Sequence, residues 1–308
     1  MTDLAHNPVS RRVGNTGMAV YPVAINGSLF GRTADASAAA QVLDAFVDAG
    51  GNLISTADHY AGGRSEAMIG SWLQRHDARD TLVIATKVGR HPDAPGLSAT
   101  ALRRSVAASR SRLRVDTIDL LSFEGDDPSV PLEESITAVA ELIAEGAVGH
   151  LAVCGFTAVR LREAIRIARR LDLPSVSTVL TEFNLLDREP YETDIAPVAL
   201  ANDLGALIML PLAGGYLRGD GTTASTAQPG EQVHRYGRRG ERVLSALRDT
   251  AWDLGTTPAR VALAWILAKP MVAAPIVDAR DGAELLDLLP AADLVLSEQQ
   301  LRFLDEAH

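Results

Sequence analysis

Eight short, β-rich apolar runs recur along the 308 residues, and nearly every one is followed by a longer stretch with helical periodicity. This alternation limits the fold strongly, because parallel strands need long crossover connections and amphipathic helices supply them. The predicted strands cover 20–26, 52–55, 81–87, 118–124, 150–156, 175–183, 206–212 and 271–277. The predicted helices include 35–49, 65–73, 99–113, 132–145, 158–170 and 258–268, each with one polar face. Eight strand–helix units in about 300 residues match a (β/α)8 barrel better than an open doubly wound sheet, which uses fewer strands. Gly50-Gly51, Gly146 and Gly205 each follow a helical run and precede a strand, where a left-handed helix stop is wanted. No Pro/Ser-rich linker divides the chain, so residues 1–308 read as one barrel domain. The irregular stretch 213–240 follows the seventh strand at the end where barrels keep their active sites. It reads as a cover over that face, or equally as a tolerated insertion.

A hydrophobic content of 47% suits one substantial core. Twenty-nine Lys plus Arg against 39 Asp plus Glu leave a net charge of −10, a field that repels polyanions and argues against nucleic acid as a partner. One cysteine, Cys154, can form neither an internal disulfide nor a Cys-based metal site, and the histidines lack metal-type spacing, so no metal is expected. The first residues lack the apolar core of a secretory signal, and no apolar run approaches the roughly 18 residues of a membrane span. The sequence is that expected of a cytoplasmic protein without a membrane partner; it is silent on oligomeric state.

Barrel enzymes carry their chemistry at the C-terminal strand ends. Here those ends supply Ser55 running into Asp58, His59 and Tyr60, then Lys87, Glu124, Cys154, Met209 and Asp278. Tyr60, Lys87 and Glu124, from adjacent strands, bring a phenol, an ammonium and a carboxyl to one mouth. An ammonium lowers the pKa of a neighbouring phenol, and burial raises that of a carboxyl, so the three suit acid–base catalysis. A structural Lys–Glu ion pair beside a packed tyrosine fits the same spacing. Ser55, Asp58, His59, Cys154 and Met209 are the further candidates for the substrate site.

The segment from Gly51 to Tyr60, followed by Ser65-Glu66 and Gly70, resembles the aldo-keto reductase signature at the second strand, and Ile84 to Gly89 resembles that family's third. Further ordered matches are Arg12 to Gly17, Ile118-Asp119-Leu120, Phe183 to Arg188, Pro211-Leu212 with Gly214-Gly215, and Pro275 through Ser297. The resemblance implies a (β/α)8 barrel and metal-free, NADP(H)-dependent carbonyl reduction. It also implies a tyrosine acid at Tyr60 and its lysine at Lys87. Ser55 stands where that family has an aspartate and Glu124 where it usually has a histidine, as in members that reduce carbon–carbon double bonds.

At the positions that would hold the nicotinamide, Cys154-Gly155 replace a Ser-Asn pair, Leu180 replaces a glutamine and Met209 an aromatic residue. Where the 2′-phosphate would lie stand Asp278, Asp281 and Glu284, with Arg280 the one cation left in that segment. Each lost hydrogen bond to a buried carboxamide costs about 1–3 kcal/mol. These departures lead to the expectation of an enzyme that works without a cofactor, performing elimination, isomerisation or cyclisation on a small carbonyl metabolite. An NADPH-dependent reductase of a carbonyl or enone is the alternative, and a catalytically silent binding subunit the second.

Overall fold

The computed structural model describes residues 10–219 and 231–308, with only the backbone of residues 231–234. Eight parallel strands close into a barrel: β3 (Ala24–Asn26), β4 (Leu53–Ala57), β5 (Val83–Val88), β6 (Ile118–Glu124), β7 (Val148–Cys154), β8 (Val176–Glu182), β9 (Gly205–Met209) and β10 (Val272–Val277), the last pairing with β3. The chain is therefore a (β/α)8 barrel. A short hairpin, β1 (Arg11–Arg12) and β2 (Ala19–Val20), precedes it. Arg11 donates to the Val272 carbonyl at the start of β10, which fixes the hairpin at the N-terminal end of the barrel.

The predicted strand 20–26 is divided between β2 and β3 because Pro22, without an N–H, interrupts the ladder and the Tyr21 N–H turns to Asn52 Oδ1 instead. The predicted strand 206–212 ends earlier, at Met209, because Leu210 adopts φ +49° and leaves the extended region. Gly50 and Gly146 stop helices in the left-handed conformation as expected. Gly205 does not, since Asp203 takes that role and Gly205 opens β9. Its missing side chain is needed for another reason: a Cβ there would sit 2.8 Å from the Gly14 nitrogen of the hairpin turn.

Helices α1 (Ala36–Asp48), α2 (Arg64–His76), α3 (Ala99–Leu113), α4 (Leu132–Ala144), α5 (Ala158–Leu171), α6 (Ala196–Ala201), α7 (Glu231–Leu254), α8 (Pro258–Leu267), α9 (Gly282–Leu288) and α10 (Glu298–Glu306) surround the strands. Asp35, Ser98, Thr157, Thr257, Asp281 and Ser297 cap six of them by accepting from exposed backbone N–H groups. Apolar burial falls into two bodies. The larger lies between strands and helices, and the smaller fills the barrel itself with Val13, Val20, Leu53, Leu120, Leu180, Leu207 and their neighbours. Of the expected cover at 213–240, Ala213–Arg218 form a 3-10 turn and α7 begins at Glu231, while 220–230 lie outside the described residues. Among the described residues no helix is long and apolar enough to cross a membrane.

Candidate active site

The end of β4 is braced by buried side-chain hydrogen bonds. Ser65 Oγ bonds both Thr56 Oγ1 and the Gly27 carbonyl at 2.8 Å. The fully buried Glu66 accepts from Thr86 of β5 and from Arg112 of α3, each at 2.7 Å. Beyond β4 the backbone passes through three successive positive φ values, at Ala61, Gly62 and Gly63 (52°, 66° and 85°), of which only that of Ala61, directly after Tyr60, strains the chain.

Lys87, at the end of β5, is buried; its Nζ donates to the Thr56 carbonyl at 2.8 Å and stands 4.7 Å from the centre of the Tyr60 ring. Burial opposes the Lys87 charge, yet Tyr60, Glu124 and Cys154 together hold its pKa above the usual value. The structure reverses the expected direction for Tyr60. Burial raises the phenol's pKa and outweighs the lowering by Lys87, so the residue holds its proton. Glu124 is reversed as well. Burial pushes its pKa up, but the hydrogen-bonding influence of His59 and the charges of Lys87, His59 and Arg90 bring it below the ordinary value, which leaves a carboxylate rather than the expected protonated acid.

His59 is the reason for much of this. Its Nδ1 lies 3.2 Å from Glu124 Oε2 and 3.5 Å from Asp58 Oδ1, and its ring meets the Tyr60 ring edge-on with centres 4.9 Å apart. Asp58, then Glu124, hold the imidazole's pKa up to about 9 against the opposing effect of burial. The structure thus groups Tyr60, Lys87, Glu124, His59 and Asp58. Ser55 is buried nearby with an unpartnered Oγ. Cys154 is buried within the barrel core, its Sγ 3.6 Å from Met209 Sδ, and burial pushes its thiol up to about 11, which makes it a packing residue and a poor nucleophile.

The acidic segment after β10 is not the free anionic surface that its sequence suggests. Asp281 caps α9 by accepting from the Glu284 N–H. Glu284 lies between Arg218 (2.8 Å) and Arg280 (3.1 Å). Asp278 turns toward Ser28, and its pKa is raised by burial. Arg218, which sequence reasoning missed, arrives from the turn after β9. Its Nη2 donates to the Asp278 carbonyl, while its Nε is buried without a hydrogen-bond partner. That turn, with the ends of β10 and Arg218, lines a cleft. Four of its residues, Leu210, Ala213, Gly214 and Gly215, have positive φ (49°, 50°, 63° and 97°). Strain of this kind is held where a backbone must cradle a ligand, and an orphaned guanidinium nitrogen suits an anionic one. The residues present therefore fit the diphosphate of a dinucleotide. The Gly-Gly pair followed by arginine in the sequence was the signal for this cleft.

An uncharacterized oxidoreductase of Bacillus subtilis, YrpG, is 29% identical over 96% of this chain and 94% of its own. A probable voltage-gated potassium channel subunit beta of Arabidopsis thaliana is 28% identical over 92% of this chain and 91% of its own. Norsolorinic acid reductase of Aspergillus flavus is 28% identical over 95% and 79%. Relatives named oxidoreductase and reductase overturn the expectation of a cofactor-independent lyase, isomerase or cyclase, and with it the expectation of no cofactor. The physical reason is that burial, a helix cap and ion pairs take up Asp278, Asp281 and Glu284, and that Arg218 brings a cation to the same cleft. The family model of the aldo/keto reductase family matches residues 25–308, and the chain belongs to that family.

Proposed function

We propose that this barrel is an NADPH-dependent reductase of a small carbonyl or enone. The observation that carries the reading is the Tyr60–Lys87 pair, a half-buried phenol that keeps its proton beside a buried ammonium that keeps its charge. Arg218 and the Leu210–Gly215 turn would hold the diphosphate, with Arg280 beside Glu284 toward the 2′-phosphate. When bound, NADPH supplies the reducing equivalent. Tyr60 donates its phenolic proton to the oxygen of the substrate as negative charge develops there. Lys87, anchored on the Thr56 carbonyl, orients the ring and stabilises the phenolate left behind. The apolar surroundings of Leu180, Cys154 and Met209 exclude water from the reacting face. Ser55, too short to pair with Lys87, leaves Glu124 as the carboxylate that balances the ammonium.

NADPH oxidation with 4-nitrobenzaldehyde as carbonyl probe and 2-cyclohexenone as enone probe tests this. Tyr60→Phe and Lys87→Met are expected to lower kcat by about 10²- to 10⁴-fold while the protein stays folded. Undiminished turnover in both variants would remove Tyr60 and Lys87 from the mechanism. No turnover by the unaltered protein with any carbonyl or enone would favour a binding subunit.

A further inference from the structure

Two of the three tryptophans are built into the molecule. Trp72 and Trp265 are buried, and the indole N–H of each donates to an aspartate, Asp44 at 2.6 Å and Asp305 at 3.0 Å. Trp252, on the outer face of α7, is 85% exposed, and nothing among the described residues accepts from its N–H. Asp249 and Asp253 flank it, exposed and without an ion-pair partner among the described residues. The last turn of α7 holds no basic residue, so Asp253 there opposes the partial negative charge of the helix end. Arg248 is turned to the Gly219 carbonyl, and Arg242 lies two turns back, about 10 Å along the axis. An aromatic ring set between two uncompensated carboxylates suits guanidinium groups, which pair with the one and stack on the other.

Free guanidinium groups stand on α5. Arg162, Arg166 and Arg169 are exposed, spacings of four and three residues hold them on one helix face, and none has a side-chain partner among the described residues. Arg160 and Arg170, by contrast, are occupied, the first by Asp126 and Glu163 and the second by Glu133. Val159, 73% exposed, extends the same face. Like charges at this spacing repel, so each of the two faces is locally unfavourable and carries what the other lacks. Their dimensions agree as well, since Arg162 to Arg166 and Asp249 to Asp253 each span about 6 Å of helix rise.

The barrel keeps these faces apart within one molecule. α5 follows β7 and α7 follows β9, with β8 and α6 between, so on a ring of eight strands their outer faces point about a quarter-turn apart. We propose that copies of this chain associate head to tail, with Trp252, Asp249 and Asp253 of one copy laid on the arginine face of α5 of the next. Two faces a quarter-turn apart cannot both meet the same neighbour, so the contact is heterologous and association continues beyond a pair. A net charge of −10 makes whole copies repel at long range, which leaves the attraction to this local contact and makes it sensitive to salt. None of these residues belongs to the barrel mouth, so association is testable whatever the reaction.

Analytical ultracentrifugation of the full chain from about 1 µM to about 300 µM reads the association directly. At about 0.1 M salt the mass should rise with concentration past twice that of one chain, and at about 1 M salt it should fall back toward one chain. Trp252→Ala should weaken association about tenfold or more. Two double variants, Asp249→Arg with Asp253→Arg and Arg162→Asp with Arg166→Asp, should each stay monomeric alone and associate when mixed, because each supplies the charge that the other's altered face needs. Arginines near the end of α7 also favour that helix, so association lost there does not come from unfolding. A monomer at every concentration would overturn the proposal and leave both faces to other partners. A strict dimer, or association that neither salt nor either double variant changes, would put the contact elsewhere and overturn it equally.

Discussion

Asp278 follows the last residue of β10, and the register Val277 to Ile25 sets it beside Asn26 at the rim of the mouth. Ser28 Oγ donates to its Oδ1 at 2.5 Å. Burial nonetheless raises its pKa, against the lowering by Ser28, Asn26, Lys87 and Arg218. A carboxyl whose pKa is higher folded than unfolded weakens the fold wherever it is ionised. The loss is complete above the folded pKa and vanishes once pH falls below the unfolded value near 4. Asp278→Asn should therefore raise Tm at pH 7 by about 2 °C, and the gain should disappear below about pH 4 in a melting series. An unchanged or lower Tm at pH 7 would contradict that sign. That Tyr60, Lys87 and Glu124 come to one mouth was legible from strand ends, but the directions of the Tyr60 and Glu124 pKa shifts were not. Sequence order does not reveal that His59 swings its Nδ1 to Glu124 across the mouth, and this contact decides whether burial or charge wins.

At the scale of elements, residues 118–124 and 99–113 form the predicted strand and helix without change, because the apolar runs there are bounded by clear stops. Misplaced edges occur where one residue breaks the pattern for a tertiary reason, as Pro22 does between hairpin and barrel and Leu210 does at the cleft. The helices that follow the strands also carry a constraint absent from any periodicity. Gly70 lies on α2 where the helix crosses α3, and a Cβ there would sit 2.2 Å from the Arg112 carbonyl oxygen and 2.6 Å from the Leu113 carbonyl carbon. Both are backbone atoms and cannot swing aside. Gly70→Ala would gain about 1 kcal/mol of helix propensity. Overpacking of about 1–3 kcal/mol should outweigh that gain. It would also disturb Arg112, which holds Glu66 and through it β5. A fall in Tm of about 2 °C is expected by calorimetry. A stabilised variant would show that the two helices move apart freely.

Taken whole, the molecule carries a net charge of −10 and yet is proposed to bind a dinucleotide with several phosphate charges. The long-range field opposes that encounter, so affinity has to come from local groups. Arg218 is the strongest of these. Its side chain is 8% exposed, it is oriented by Glu284 and the Asp278 carbonyl, and its Nε has no partner within the protein. NADPH at about 100 times its Kd should stabilise the fold by about 2.7 kcal/mol, which for a chain of this length raises Tm by about 4 °C. Charge-assisted hydrogen bonds of the kind Arg218 offers are worth about 1.5–3 kcal/mol. Arg218→Gln should therefore weaken binding by about ten- to a hundredfold and remove about half of the shift or more at the same NADPH concentration. The variant's melting without nucleotide separates this loss from any damage to the Arg218–Glu284 pair. If NADPH leaves the Tm of the unaltered protein unmoved, the cleft after β9 is not a dinucleotide site. If the shift survives Arg218→Gln in full, the anion is held elsewhere, and Arg280 is the next residue to replace.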